Sequence, residues 1–201
     1  MSLTVLATTP RRQIGGEAGR RAPHDFYPTP PEAVRALLSV ESFDGSIWEP
    51  ACGDGAISEA LAEAGYEVVS TDLIDYGYGT GGVDFLGERR MRAKHIVTNP
   101  PYGSGLADEF IRHALALSRQ TGGSVAMLLN LASLCHPMRH QFWTENPPAV
   151  IYALDKLICW PGGKPSLATS SIAKQRYCWV VWNPDAEGNT EFGWLSPGLF
   201  G

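Results

Sequence analysis

"SIWEPACGDGAISEALAEAGYEVVSTD", residues 46–72, reads as one continuous structural unit. "SIWEP" has the look of a strand and "ACGDG" of a tight loop. "AISEALAEAG" then forms a helix closed by Gly65, and "YEVVSTD" returns as a second strand. Two strands joined through a helix are laid side by side in parallel. The stretch therefore predicts an α/β sheet, with a glycine-rich turn at the carboxyl end of its first strand.

The same alternation continues in both directions. Downstream, "GGVDFL" reads as a short third strand and "HIVTN" as a fourth. "GLADEFIRHALALSRQ" reads as an amphipathic helix ending before Gly122 and Gly123, and "SVAMLLN" as a buried fifth strand. A helix is expected over 135–145, followed by "AVIYALD". The last clear strand, "RYCWVVW", comes after the polar loop "PGGKPSLATSSIAKQ". Upstream, "DFYPTPPEAVRALLSV" carries a helix start, with Thr29 as N-cap, Pro30 at the first helical position and Glu32 completing a capping box. Repeated βα units imply a mostly parallel sheet covered by helices on both faces. Residues 1–23 lack periodicity and read as a mobile basic arm, leaving 24–201 as a single domain.

Composition narrows the class. At 201 residues the chain has room for one well-buried core. No apolar run approaches ~18 residues, which argues against a membrane-spanning helix. The apolar stretch of "MSLTVLATTPRRQ" precedes its arginines, the reverse of a secretory signal, so a cytoplasmic location is expected. Cys52, Cys135, Cys159 and Cys178 lie far apart without a C-x-x-C pair, and the five histidines show no metal spacing, so no metal is expected. The net charge of -5 offers nucleic acid no overall attraction, but arginines at 11, 12, 20 and 21 face only Glu17 in the arm. Lys164, Lys174 and Arg176 share an acid-free loop over 161–176. Solvated charge on loops accounts for these clusters as well as local nucleic-acid contacts do.

"WEPACGDG" follows a strand and opens a helix, so its backbone N–H groups point above the sheet. Gly53 and Gly55 allow close approach to the main chain. The stretch is neither G-x-G-x-x-G nor a P-loop, which argues against a phosphate-bearing cofactor. Asp72, 17 residues past Gly55 at the tip of the next strand, is placed to accept bonds from two ribose hydroxyls. A nucleoside without phosphates matches S-adenosylmethionine. Taken singly, the glycines fit a plain tight turn and Asp72 an exposed acid; the spacing of the two together favours a ligand.

"HIVTNPPYGSG", residues 95–105, then sets a rigid Pro-Pro turn at another strand end. An exocyclic amine such as adenine N6 is a poor nucleophile, because its lone pair is delocalised into the ring. Two acceptors gripping its two hydrogens favour a pyramidal nitrogen aimed at a methyl donor. The side-chain oxygen of Asn99 and the backbone oxygen of Pro100 form such a pair, with Pro100 and Pro101 fixing the backbone. Tyr102 offers a flat face for an extruded base.

These motifs resemble the S-adenosylmethionine-dependent DNA adenine-N6 methyltransferases. The likeness rests on "DFYPTPPE", "EPACGDG", Asp72, "DFL" at 84–86 and "NPPY" at 99–102, and runs over about residues 25 to 182. "TSS" and "YCWVVW" also look like the small phage and prophage versions, and the motif order looks like the gamma arrangement. The resemblance implies a Rossmann-like class I methyltransferase sheet, mostly parallel with an antiparallel C-terminal strand. It implies that Tyr27 through Thr29 line the methionine end of S-adenosylmethionine, and that Glu49, Ala51, Cys52, Gly53 and Gly55 hold the same end. Asp72 would take the ribose, with Leu73 also in the cofactor site, Asp84 with Phe85 the cofactor adenine, and Asn99 through Tyr102 the target base.

DNA is the partner so implied, with Arg11, Arg12, Lys164, Lys174 and Arg176 as contacts. Larger relatives carry a separate target-recognition domain, whereas about 100 residues follow the turn here, most of them completing the sheet. Base reading would fall to the loops at 161–176 and 131–148. Methylation of RNA adenine, or of a glutamine side-chain amide in a protein, uses the same turn, and a non-catalytic nucleic-acid-binding module is a further alternative.

Overall fold

Seven strands form one sheet in the computed structural model, which describes residues 23–167 and 175–201. Strands β1 (Ile47–Glu49), β2 (Val68–Ser70), β3 (His95–Thr98) and β4 (Val125–Asn130) are mutually parallel. β5 (Val150–Leu154), β6 (Tyr177–Trp182) and β7 (Glu191–Leu195) complete the order β2-β1-β3-β4-β6-β5-β7. β6 runs antiparallel to β4 and β5, while β7 is parallel to β5. This is the mostly parallel α/β sheet with a late antiparallel strand that the sequence predicts.

Among the described residues four α-helices cover it: α1 (Pro31–Leu38), α2 (Ala56–Glu63), α3 (Leu106–Ser118) and α4 (His140–Glu145). The period of two along β4 sorts the core into two layers. Ala126 and Leu128 join Val34 and Leu37 of α1 and Ile57 and Leu61 of α2 on one face. Val125, Met127 and Leu129 join Phe110 and Ile111 of α3 and Phe142 of α4 on the other. Burial on both faces explains why β4 reads as an unbroken apolar run. The two fully buried indoles keep their N–H groups satisfied: Trp48 donates to Thr71 Oγ1 at 2.9 Å and Trp179 to the Ala33 carbonyl at 2.9 Å.

Local chemistry overrides the sequence pattern at several points. "GGVDFL" forms no strand; Asp84 accepts from the Leu86 amide and starts a 3-10 turn over Phe85–Gly87. Only a Thr71–Thr80 bridge extends the sheet nearby. The helix expected over 135–145 begins at His140, because Pro137 lacks an N–H and is accommodated in a separate 3-10 turn, Pro137–Arg139. "RYCWVVW" is not the last strand, since "EFGWL" adds β7 beyond β5. Its central Gly193 hides it from strand propensity. α1 starts at Pro31 with no side-chain cap, so Thr29 and Glu32 form no capping box. His95, buried at the start of β3, accepts from the Ser124 amide at Nδ1 and donates through Nε2 to Asp44, a structural role. Among the described residues no helix is long and apolar enough to cross a membrane.

The neighbours of β1 are β2 on one side and β3 on the other. The chain order therefore reverses direction at β1, and a crevice opens above the carboxyl ends of β1 and β3.

Candidate active site

β1 ends at Glu49, whose side chain is 2% exposed. Ser58 Oγ, in the first turn of α2, donates to Glu49 Oε2 and lies 2.6 Å from Ser70 Oγ. Burial pushes the Glu49 carboxyl well above its ordinary range; the Ser58 bond opposes this, and the charges of Asp72 and Asp54 add to it. Glu49 therefore holds its proton in the ligand-free fold well above the pH at which the unfolded chain releases it. Between those two pKa values the folded state binds the extra proton, so stability falls as pH rises through the window. Glu49→Gln, a neutral isostere, is expected to remove that fall. Its melting temperature should exceed the parent's at pH 8 and match it at pH 4, each kcal/mol being worth about 2–4 °C. Identical melting curves at both pH values would mean that the buried acid carries no such penalty.

The chain next turns through the glycine loop. Gly53 (φ 54°) and Gly55 (φ 95°) both occupy the left-handed region, where a side chain is strained. Each is also covered by an aromatic ring: a Cβ on Gly53 would meet Phe26 at 2.8 Å, and one on Gly55 would meet Tyr78 at 2.6 Å. Phe26 stacks in turn on Tyr76 with ring centroids 4.4 Å apart. The Cys52 thiol is pushed up to about 12 by burial and is not a nucleophile at neutral pH.

Asp72 fastens this loop to the tip of β2. Its Oδ2 accepts from the Gly53 amide and its Oδ1 from the Ile74 amide, both at 2.9 Å. One backbone bond per oxygen leaves lone pairs on both for a ligand. Leu73 beside it is 61% exposed at the rim, and Phe85 lies edge-on to Trp48, with centroids 5.2 Å apart.

The Asn99 side chain sits at the centre of a polar knot. Its Nδ2 donates to the Tyr27 carbonyl and to Thr29 Oγ1, each at 3.1 Å. Tyr102 Oη lies 2.6 Å from Asn99 Oδ1 and 2.8 Å from the Leu128 carbonyl of β4. Burial raises the Tyr102 phenol well above its ordinary range, and its ring packs against both core layers. Segment 24–29 straps the knot down, with Asp25 Oδ2 accepting from the Gly103 amide and the Phe26 carbonyl from the Gly162 amide.

These elements enclose one cavity of about 420 Å³, within the range of small-molecule sites. Tyr27, Thr29, Glu49, Ala51, Cys52 and Gly53 line it on one side. Asp72, Leu73, Asp84 and Phe85 line the other, and Asn99 and Pro101 lie at the turn. Gly55, Pro100 and Tyr102 are not among its walls. Lys164 and Arg176 are exposed on the connection from β5 to β6, outside the cavity. Arg11, Arg12 and Lys174 lie outside the described residues, as does most of the segment expected as an arm. Sequence reading misses Asp25, Phe26, Tyr76 and Tyr78. The pair of tyrosines in glycine-rich "DYGYGTGG" is the signal that was there to find.

No protein-family model and no curated protein matches the chain. Solved structures do. A protein of Listeria monocytogenes described as a candidate class I S-adenosylmethionine-dependent methyltransferase superposes with a TM-score of 0.57 at 14% identity, over 90% of this chain and 68% of its own. The modification subunit of a candidate type I restriction enzyme from Vibrio vulnificus superposes with a TM-score of 0.54 at 16% identity. That match spans 84% of this chain but only 47% of the subunit. At such identities the likeness establishes the fold, a Rossmann-like sheet of the kind found in class I methyltransferases.

Proposed function

We propose that the chain is an S-adenosylmethionine-dependent methyltransferase that modifies an exocyclic amine, the N6 of adenine in DNA. The observation that carries this reading is the charge of the cavity that opens on the Asn99 turn. Asp25, Asp54, Asp72 and Asp84 line it beside the buried, proton-holding Glu49, with no lysine or arginine among the described lining residues. Such a wall repels phosphates and suits a ligand bearing a sulfonium and an ammonium. The glycine cradle, the two free lone-pair directions of Asp72 and the buried Glu49 fit the same molecule.

Bound there, S-adenosylmethionine would supply an electrophilic methyl, whose transfer forms a C–N bond, breaks a C–S bond to leave S-adenosylhomocysteine, and releases one amine proton to solvent. The residues of the chain do the rest. Asp72 would hold the ribose hydroxyls, and Glu49 and the loop through Gly53 the methionine end. Asn99 Oδ1 and the Pro100 carbonyl would take the two amine hydrogens, fixing the nitrogen and directing its lone pair. DNA would lie along the carboxyl edge, with Lys164 and Arg176 meeting phosphates.

Tritiated S-adenosylmethionine, incubated in parallel with DNA, RNA and a protein extract, tests the reading. Label is expected in DNA, as N6-methyladenine after digestion. Label confined to RNA or protein would overturn the substrate, and label nowhere would overturn the activity. The cofactor half has its own test, titration calorimetry with S-adenosylhomocysteine. Asp72→Ala should weaken binding about 10- to 100-fold, the worth of one or two hydrogen bonds to a charged group. Unchanged affinity would remove Asp72 from the ribose site.

A further inference from the structure

A side-chain amide is nearly symmetric in shape, so a half-turn exchanges its acceptor for its donor at little steric expense. Whether Asn99 shows a ligand its oxygen or its NH2 is therefore decided by its neighbours. The Tyr27 carbonyl, 3.1 Å from Nδ2, only accepts, and a flipped amide would set two oxygens against each other. Thr29 Oγ1, at 3.1 Å, takes the second amide hydrogen. Thr29 is 3% exposed and its hydroxyl caps no helix, which leaves it for this bond. Both hydrogens are then used inside the fold. On the oxygen side, Tyr102 Oη occupies one of two lone-pair directions.

We infer that Thr29 is a positioning residue: its hydroxyl, together with the Tyr27 carbonyl, locks the Asn99 amide so that the side chain offers a ligand an acceptor and nothing else. The substrate class follows from the count of hydrogens. A group met by an acceptor-only Asn99 must donate, as an amine or primary amide does, whereas a carbonyl or phosphate oxygen is turned away. This rests on the amine-methylation reading for its catalytic consequence, and the lock itself is a property of the chain alone.

The test uses the full chain with Thr29→Val, Thr29→Ala and Thr29→Ser, each in the parent and in an Asn99→Ala background. Without ligand, the side-chain NH2 pair of Asn99, identified by its loss in Asn99→Ala, is followed by 15N NMR. Thr29→Val and Thr29→Ala should shift it and speed its exchange with solvent about tenfold, the worth of one hydrogen bond. Thr29→Ser should restore both. At saturating S-adenosylmethionine the transfer rate should fall about tenfold in Thr29→Val and recover to within about threefold in Thr29→Ser. In the Asn99→Ala background, Thr29→Val should slow transfer no further, because no amide is left to orient. Unchanged NH2 signals in both the Val and Ala variants would overturn the lock, and they do so even if the valine proves unstable. An equal loss with and without Asn99 would assign Thr29 to the cofactor or to packing instead. Failure of the functional reading looks different: full transfer in Asn99→Ala, or no transfer by the parent, with the NH2 signals still answering to Thr29.

Discussion

Asn99→Ala is expected to reduce methyl transfer by about 10²–10³-fold, the scale seen when one preorganised hydrogen-bonding group is removed from a reacting centre. S-adenosylhomocysteine affinity should fall far less. The substitution is not silent elsewhere, since Asn99 also ties the Tyr27 carbonyl and Thr29 to the turn and accepts from Tyr102. Losing those bonds loosens the strap over the cavity, for which a loss of up to about tenfold in cofactor affinity is allowed. The measurement is therefore a pair: single-turnover transfer at saturating cofactor, and calorimetric affinity for S-adenosylhomocysteine. A rate within threefold of the parent would show that the amine is held by other groups. A collapse of affinity equal to the collapse of rate would make Asn99 a cofactor residue.

How much of this site is legible without coordinates depends on the range of the interaction that builds it. The strand, loop and helix over 46–65 are set by local rules, and glycines in the left-handed region mark the loop. Because parallel strands present their carboxyl ends at one edge, a reader of the βα order can bring Glu49, Gly53, Asp72 and Asn99 together. Thr29 shows where this stops. Its setting before Pro30 and Glu32 obeys the capping rule, but the competing partner lies 70 residues away in Asn99, and the distant bond is the one formed. The rings of Phe26 and Tyr78 reach Gly53 and Gly55 from segments whose own patterns say nothing about a cavity. β7 escapes for another reason. Phe192 and Trp194 on this edge strand are 51% and 79% exposed, so the alternation that marks a half-buried strand does not match burial.

The second large effect concerns Tyr102, whose ring the sequence offers as a flat face for an extruded base. In the structure the ring is wedged between both core layers, and the hydroxyl bridges Asn99 Oδ1 and the Leu128 carbonyl. Tyr102→Ala opens a cavity at the junction of the layers and should cost about 3–5 kcal/mol, as other buried aromatic truncations do. Stability of a domain this size is about 5–15 kcal/mol, so the variant loses a large share of it and should melt about 6–20 °C below the parent. Tyr102→Phe keeps the volume but removes the single phenolic hydrogen that Asn99 Oδ1 and the Leu128 carbonyl share, a loss of about 1–3 kcal/mol. Its melting temperature should drop by several degrees, at about 2–4 °C per kcal/mol. Transfer should slow about tenfold as Asn99 loses its brace. A ring that serves only to stack on a target base predicts the contrary: parent-like melting and parent-like transfer for the phenylalanine variant. Thermal melts and single-turnover rates on Tyr102→Phe separate the two, because a hydroxyl that braces the turn lowers both together and a stacking face lowers neither.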